Sequence, residues 1–278
     1  MTTTPPPPPA PPAPPAPPGE PRGHDLLAGK VAVVTAAAGT GIGSATARRL
    51  LAEGATVVVS DAHERRLGET AAGLAGTPRA DGSGSDRPLA VPCDVTDEQQ
   101  VQALFAAAIE AHGRIDVVVN NAGLGGTVEI VDMTDEQWAR VVDVTLTGTL
   151  RCTRAALRHM IPRRSGVVVN NASVLGWRAQ VGQAHYAAAK AGVMALTRTA
   201  AVEGAPHGVR VNAVSPSLAM HPFLGKVISE DVLAELARRE AFGRPAEPWE
   251  VATVIAFLAS DYAGYMTGEV VSVSSQHP

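Results

Sequence analysis

The chain has 278 residues, 45% of them hydrophobic, enough to bury one large core. Its formal charge of -4 leaves no basic excess to draw it onto nucleic acid or an anionic membrane, and no apolar run is long enough to span a bilayer. Two cysteines, Cys93 and Cys152, stand far apart and outside any metal-ligand spacing, so they read as buried thiols in a reducing compartment, with neither a disulfide framework nor a metal site expected.

Residues 1–23, "MTTTPPPPPAPPAPPAPPGEPRG", hold twelve of the 22 prolines and favour an extended polyproline II path that cannot join a core. They carry neither an early positive charge nor an apolar stretch, so they are not a secretory signal and a cytoplasmic protein is expected. The segment reads as a disordered extension, or as a docking peptide for an aromatic-grooved module, ahead of a single domain at 24–278.

From residue 25 onward, short β-branched runs alternate with alanine-rich helical stretches, the pattern of βαβ units and a parallel sheet. The strands are "KVAVVT" (30–35), "TVVVSD" (56–61), "PLAVPCDV" (88–95), "IDVVVNNAG" (115–123), "GVVVNNAS" (166–173), "VRVNAVSP" (209–216) and "EVVSVSS" (269–275). Helices are expected at 44–53, 98–112, 135–160, 183–203 and 248–260, and a Gly, Ser and Asp-rich insertion at 76–86 reads as a mobile surface loop. Right-handed crossovers then give an α/β, doubly wound, three-layer sandwich.

Ligands of such a sheet lie beyond the carboxyl ends of its strands. After the first strand comes "TAAAGTGIGSATARRL", in which Gly39, Thr40, Gly41, Ile42 and Gly43 lead into a helix. Glycine admits close backbone approach, and the free amides of a helix start bind a pyrophosphate, so a dinucleotide is expected there. Asp61 ends the second strand, 18 residues after Gly43, where a carboxylate accepts the two hydroxyls of an adenosine ribose and repels a 2′-phosphate. NAD is therefore favoured over NADP, although Arg65 and Arg66 nearby keep NADP open, and Asp61 could instead cap a helix in "HERRLGET". Asp94, followed by Val95, could meet an exocyclic amine or cap the helix that starts in "TDEQQ". Asn121, Ala122 and Gly123 offer small residues and an amide for one wall of the cleft, with a large structural share.

In "HYAAAKAG", Tyr186 and Lys190 are four residues apart and project from one face of a helix. A phenol with a pKa of about 10 is a poor base at neutral pH, and a neighbouring ammonium favours the phenolate. Ser173, at the end of the fifth strand, would bring a hydroxyl to the same cleft to hold a carbonyl or a developing alkoxide.

Together these residues resemble the short-chain dehydrogenase/reductase family, from about residue 26 to 275. The resemblance implies a Rossmann fold with a seven-stranded parallel sheet and a homodimer or homotetramer. In it Tyr186 is the catalytic acid or base, Lys190 holds the nicotinamide ribose, Ser173 positions the substrate oxygen, and residues 214–217, including Pro216 and Ser217, border the nicotinamide.

Four departures fall where cofactor or substrate would sit. The family's Thr-Gly-x-x-x-Gly-x-Gly becomes "TAAAGTGIG", with Ala37 at the leading glycine position or one residue inserted. The asparagine that completes the catalytic set is Thr145, whose hydroxyl could substitute in part. The Pro-Gly pair after the sixth strand is Pro216-Ser217, and His221 stands where a threonine often contacts the carboxamide. The chain ends in "VSVSSQHP" in place of the frequent Val-Asp-Gly-Gly.

The segment "LAMHPFLGKVISEDVLAELARREAFGRPAEP" would cover the cleft, where Phe223 could meet substrate or pack the lid and His221 could touch cofactor or substrate or stand in a surface loop, and Trp177, just after Ser173, is better placed to shape the pocket. "NNASVLGWRAQ", "AVSPSLAMHPFL" and "ASDYAGYMTGEVVSVSSQ" are similar to an actinobacterial branch of the family, reductases of CoA-linked fragments of steroid rings C and D. The expected reaction is hydride transfer between a secondary carbinol carbon and the nicotinamide, with a small molecule such as a CoA thioester as substrate. A 3-oxoacyl-thioester reductase and a free-steroid dehydrogenase are related alternatives, and a weakly catalytic dinucleotide-binding regulator is one of another class.

Overall fold

The computed structural model describes residues 14–220 and 230–275. Seven strands form one parallel sheet in the order β3-β2-β1-β4-β5-β6-β7. They are β1 Val31–Val34, β2 Thr56–Asp61, β3 Leu89–Pro92, β4 Val117–Asn120, β5 Gly166–Asn171, β6 Val209–Pro216 and β7 Val270–Val273. All seven expected runs form strands. The helices are α1 Ile42–Ala52, α2 Glu64–Leu74, α3 Glu98–His112, α4 Asp135–Val142, α5 Gly148–Arg163, α6 Ala184–Gly204, α7 Glu230–Arg239 and α8 Pro248–Ala259.

The near-unbroken valine runs follow from burial on both faces of the sheet. Val34, Val57, Val59, Val117 and Val119 pack with Leu50, Leu67, Leu74, Ile255 and Leu258 of α1, α2 and α8. Val33, Val58, Val118 and Val168 pack on the opposite face with Leu104, Phe105, Cys152, Ala156 and Met160 of α3 and α5. The strand order reverses between β1 and β4, so the crevice that receives a ligand opens over those two strand ends.

Local details differ from the sequence reading. Helix α2, which the sequence offers only as an alternative to the ribose role of Asp61, forms, burying Leu67, Ala71 and Leu74 at helical spacing. The single helix expected over 135–160 is split by a π turn, Asp143–Thr147. The insertion at 76–86 is not a loose loop. Pro78 and Gly84 form an antiparallel bridge, and the buried Thr77 and Ser85 hydroxyls both donate to the Leu74 carbonyl, 2.7 and 3.3 Å away. Among the described residues no helix is long and apolar enough to cross a membrane.

The start of the domain is fixed by a buried ion pair at the end of α1. Arg49 and Glu53, one turn apart, have side chains 3% and 0% exposed and bond directly to each other. Glu53 Oε2 accepts the amides of His24 and Leu26 at 2.7 and 3.1 Å, while Arg49 donates to the carbonyls of Pro21 and Arg22. Gly23 fits between because a Cβ there would meet the Ala52 carbonyl oxygen at 2.0 Å. The last residues of the proline-rich stretch therefore share their hydrogen bonds with the core.

The turn after β1 carries a second local constraint. Ala36 has φ +49°, in the left-handed region, and Gly39 has φ +93°. The leading glycine of the family pattern thus falls at Ala36, whereas Ala37 is buried and donates its amide to the Ser60 carbonyl at 2.9 Å.

Two predictions follow from these constraints. Removing one partner of the buried pair, as in Glu53→Ala, leaves a guanidinium without its carboxylate and should cost about 3–5 kcal/mol, whereas the double change Arg49→Met/Glu53→Leu should cost far less, measured by chemical unfolding. Ala36→Gly should raise stability by on the order of 0.5–1 kcal/mol, because glycine adopts the left-handed backbone without the Cβ clash. A loss of stability in the glycine variant would refute the strain.

Candidate active site

The glycine-rich turn presents a cradle at the start of α1. A Cβ added at Gly39 or Gly41 would meet nothing within 4 Å, so the backbone there faces open space, and the N-cap residue Gly41 supplies no side-chain cap to the first-turn amides. Gly43 is needed for a different reason, since a Cβ there would lie 2.2 Å from the Ala36 carbonyl oxygen and 2.6 Å from Asn121 Nδ2. Open glycines, uncapped helix amides and a carboxylate at the end of β2 fit the pyrophosphate and ribose of a dinucleotide. Asp61 supplies that carboxylate while also organising the turn. Its two oxygens accept the amides of Ala38 and His63 at 3.2 and 2.9 Å. Burial raises its pKa, and the Ala38 amide and the charge of Arg66 partly oppose that.

Asp94 does not cap α3. Its Oδ1 accepts the amide and hydroxyl of Thr96 at 2.9 and 2.8 Å, and the cap is Asp97, which accepts from the amides of Gln99 and Gln100. Val95 is buried against Gly148, where a Cβ would lie 2.6 Å from a Val95 methyl.

The catalytic residues expected from the sequence come together where β4, β5 and α6 meet. The Ser173 hydroxyl is near enough to the Tyr186 phenol to pull its pKa down. Lys190, 2% exposed, donates from Nζ to the Asn171 carbonyl and lies 5.6 Å from the centroid of the Tyr186 ring. Gly123 faces the lysine, since a Cβ there would stand 3.3 Å from Nζ. A bulkier residue would crowd the ammonium from the cleft side.

Burial dominates the electrostatics of the pair. It pushes the Tyr186 phenol above its ordinary value, with the Ser173 hydroxyl pulling the other way, and it brings Lys190 down to about 8. The lowering of the phenol expected from the neighbouring ammonium is therefore not what governs the free protein. In this state the lysine is held against a carbonyl and the ring, and Ser173 is the group that favours the phenolate.

Thr145 is fully buried in the π turn, but its hydroxyl is committed elsewhere. It accepts the Leu124 amide at 3.0 Å and donates to the Leu124 carbonyl at 3.2 Å, clamping the loop that follows Gly123. It positions that loop, whereas the sequence leads one to expect its hydroxyl among the catalytic groups as a partial stand-in for the asparagine. Trp177, four residues after Ser173, is 42% exposed. Pro216 ends β6, and the Ser217 hydroxyl donates to Glu240 at 3.1 Å. His221 and Phe223 lie outside the described residues.

Sequence reasoning missed two supports. Thr35 Oγ1 accepts the amides of Asn121 and Ala122 at 3.0 and 3.3 Å, joining β1 to the end of β4. Glu240, 4% exposed, receives hydroxyls from two strand ends. A threonine opening a glycine turn is a local signal, whereas nothing in the local sequence marks Glu240.

Comparison with known proteins accords with this geometry. A family model described as enoyl-(acyl carrier protein) reductase matches residues 36–275. The chain is 65% identical over 257 residues to a (5R,7aS)-5-hydroxy-7a-methyl-1-oxo-2,3,5,6,7,7a-hexahydro-1H-indene-carboxyl-CoA reductase of Mycobacterium tuberculosis, covering 92% of this chain and 96% of the relative. It is 44% identical to a cis-4-hydroxycyclohexanecarboxylate dehydrogenase of Sinomonas cyclohexanicum, covering 90% and 96%. Among solved structures, a short chain dehydrogenase from Mycobacterium smegmatis matches with a TM-score of 0.81 at 61% identity, covering 94% of this chain and 98% of that one. With its sheet order and its Ser-Tyr-Lys cluster, the chain belongs to the short-chain dehydrogenase/reductase family of oxidoreductases, which act on hydroxyl and ketone groups.

Proposed function

We propose that the protein interconverts a ring hydroxyl and a ring ketone on an alicyclic acyl-CoA, using NAD(H), with Tyr186 as proton donor and acceptor. The observation that carries this is the convergence of Ser173, which pulls the Tyr186 phenol pKa down, and of Lys190, buried on the same helix face 5.6 Å from the centroid of the Tyr186 ring. Identity to the mycobacterial indene-carboxyl-CoA reductase and to the cyclohexanecarboxylate dehydrogenase supports the substrate class. A 3-oxoacyl-[acyl-carrier-protein] reductase of Thermotoga maritima at 39% identity motivates a 3-oxoacyl thioester as the second reading.

When bound, the nicotinamide supplies or takes the hydride at the substrate carbon. Gly39, Thr40, Gly41, Ile42 and Gly43 would hold the pyrophosphate, and Asp61 the adenosine ribose. Asp94 and Val95 would border the adenine. Asn121, Ala122 and Gly123 would line the wall beside the nicotinamide ribose, with Lys190 reaching it, and Pro216 with the backbone of Ser217 would border the nicotinamide. Ser173 orients the reacting oxygen and Tyr186 moves its proton, while Trp177 shapes the mouth of the pocket. A phenol kept protonated by burial is ready to donate to a developing alkoxide, the step that ketone reduction needs. Family membership also supports a homodimer or homotetramer, and the free thiols of Cys93 and Cys152 support a cytoplasmic setting.

The central test is an absorbance assay at the NADH band with cis-4-hydroxycyclohexanecarboxylate, its CoA thioester and acetoacetyl-CoA. Tyr186→Phe should lower kcat by about 10²–10⁴-fold on the preferred compound. Turnover at the wild-type rate would end the proposed role, and flat traces with every compound and both cofactors would favour a binding protein.

Asp61→Asn keeps an acceptor for one of the two amides that the carboxylate holds and removes the charge. It should weaken NAD and tighten NADP, changing the NADP/NAD ratio of Kd at least about tenfold, or about 1.4 kcal/mol. An unchanged ratio would refute the ribose assignment.

For Lys190, the folded value of about 8 lies below the ordinary 10.5, so the buried ammonium costs stability. That cost is fully present below pH 8 and fades as pH rises towards 10.5, because the folded state sheds its proton first. Cofactor-free Lys190→Met should therefore be more stable than wild type at pH 7, with the gap closing above pH 8. A gap independent of pH in thermal unfolding would contradict the burial argument.

A further inference from the structure

Two departures from the family pattern, the serine after β6 and the serine-rich end of the chain, meet at one buried group. Glu240 follows the last turn of α7 and is 4% exposed. Its Oε2 accepts the Ser217 hydroxyl at 3.1 Å and the Ser275 hydroxyl at 2.9 Å. A carboxylate withdrawn from water needs such donors, and glycine at these positions would provide none.

The backbone around it is tied in the same place. The Ser217 amide donates to the Val273 carbonyl at 3.2 Å. The Ala246 amide donates to the Leu218 carbonyl at 2.8 Å, and the Met220 amide returns to the Ala246 carbonyl at 3.0 Å. Ser217 follows Pro216 at the carboxyl end of β6, and Ser275 lies just past β7, so one side chain holds two neighbouring strand ends.

We propose that Glu240 is a positioning residue that latches Ser217 and Ser275 together and thereby sets the nicotinamide-side wall of the cofactor cleft. This rests on the reading that a nicotinamide dinucleotide binds over the strand ends. The latch lies far along the sheet from β2 and its Asp61, since β1, β4 and β5 intervene between β2 and β6. It should therefore govern the nicotinamide end of the ligand and leave the adenosine end alone.

The test has two arms, both on the full chain. In the cofactor-free protein, hydrogen exchange should accelerate at least tenfold in peptides covering 209–220 and 269–275 together in Glu240→Ala. Glu240→Gln, which keeps an oxygen for both hydroxyls, should restore most of the protection, and Ser275→Ala gives a milder variant if the alanine change impairs folding. Exchange that stays at the wild-type level, or rises equally in β1 and β4, would overturn the latch.

In the second arm, NADH is compared with ADP-ribose, which lacks the nicotinamide. Glu240→Ala should raise the Kd of NADH about tenfold and leave that of ADP-ribose within twofold, with Glu240→Gln close to wild type. Equal loss for both ligands, or no loss for either, would overturn the positioning role. Failure of the wild-type chain to bind either ligand would sink the cofactor reading itself, and with it the role at the nicotinamide, whatever the exchange arm gives.

Discussion

A chain of hydrogen bonds across the carboxyl edge of the sheet joins the glycine turn to the catalytic lysine. Thr35 at the end of β1 holds the amides of Asn121 and Ala122; Asn121 Nδ2 donates to the Ala36 carbonyl; Asn171 Nδ2 donates to Asn121 Oδ1; Lys190 donates to the Asn171 carbonyl. The first two links join β1 and its turn to β4, the third joins β4 to β5 and the last β5 to α6, so the left-handed turn at Ala36 and the ammonium beside Tyr186 belong to one network. A buried layer beneath it repeats the design. Asn120 donates to Thr153 and Asn170, and Asn170 donates to Thr197, tying β4 and β5 to α5 and α6 at 2.8–3.0 Å. In a low-dielectric interior such amides fix register, because a slipped pairing would leave each of them unsatisfied.

This network explains which parts of the molecule were legible from the sequence. The strands were readable because two-sided burial leaves runs such as Val117, Val118 and Val119 with almost no polar interruption. Tyr186, Lys190 and Ser173 were readable because helical spacing and strand ends are local properties. Helix α2 was less so: its apolar stripe is only Leu67, Ala71 and Leu74, and its start at Glu64 competes with the strand-end role of Asp61. The π turn at Asp143–Thr147 leaves no break in the helical pattern, since it widens a helix without a proline or a capping residue.

Non-local polar contacts were the part that sequence reasoning could not reach. Read singly, Ser217 is an odd substitution, Ser275 belongs to a polar tail, and Glu240 is one more charged residue in "ARREAF". Only the fold brings them within hydrogen-bond distance of one carboxylate. The same holds for Arg49 and Glu53, which look like an ordinary exposed pair on α1 until residues 21–26 cover them. Charged pairs at helical spacing are solvated in most sequences, and burial by a distant segment is what converts them into a structural lock.

The electrostatic state of the site follows from the same burial. A fully solvated Tyr-Lys pair would let the ammonium stabilise a phenolate through space, at the cost of water competing for both groups. Here the lysine is withdrawn against the Asn171 carbonyl, with its pKa brought down to about 8, and the phenol is kept protonated with Ser173 as its partner. Burial therefore leaves the phenol an acid rather than a base at neutral pH and weakens the ammonium beside it, so the exclusion of water sets the protonation of both groups at once.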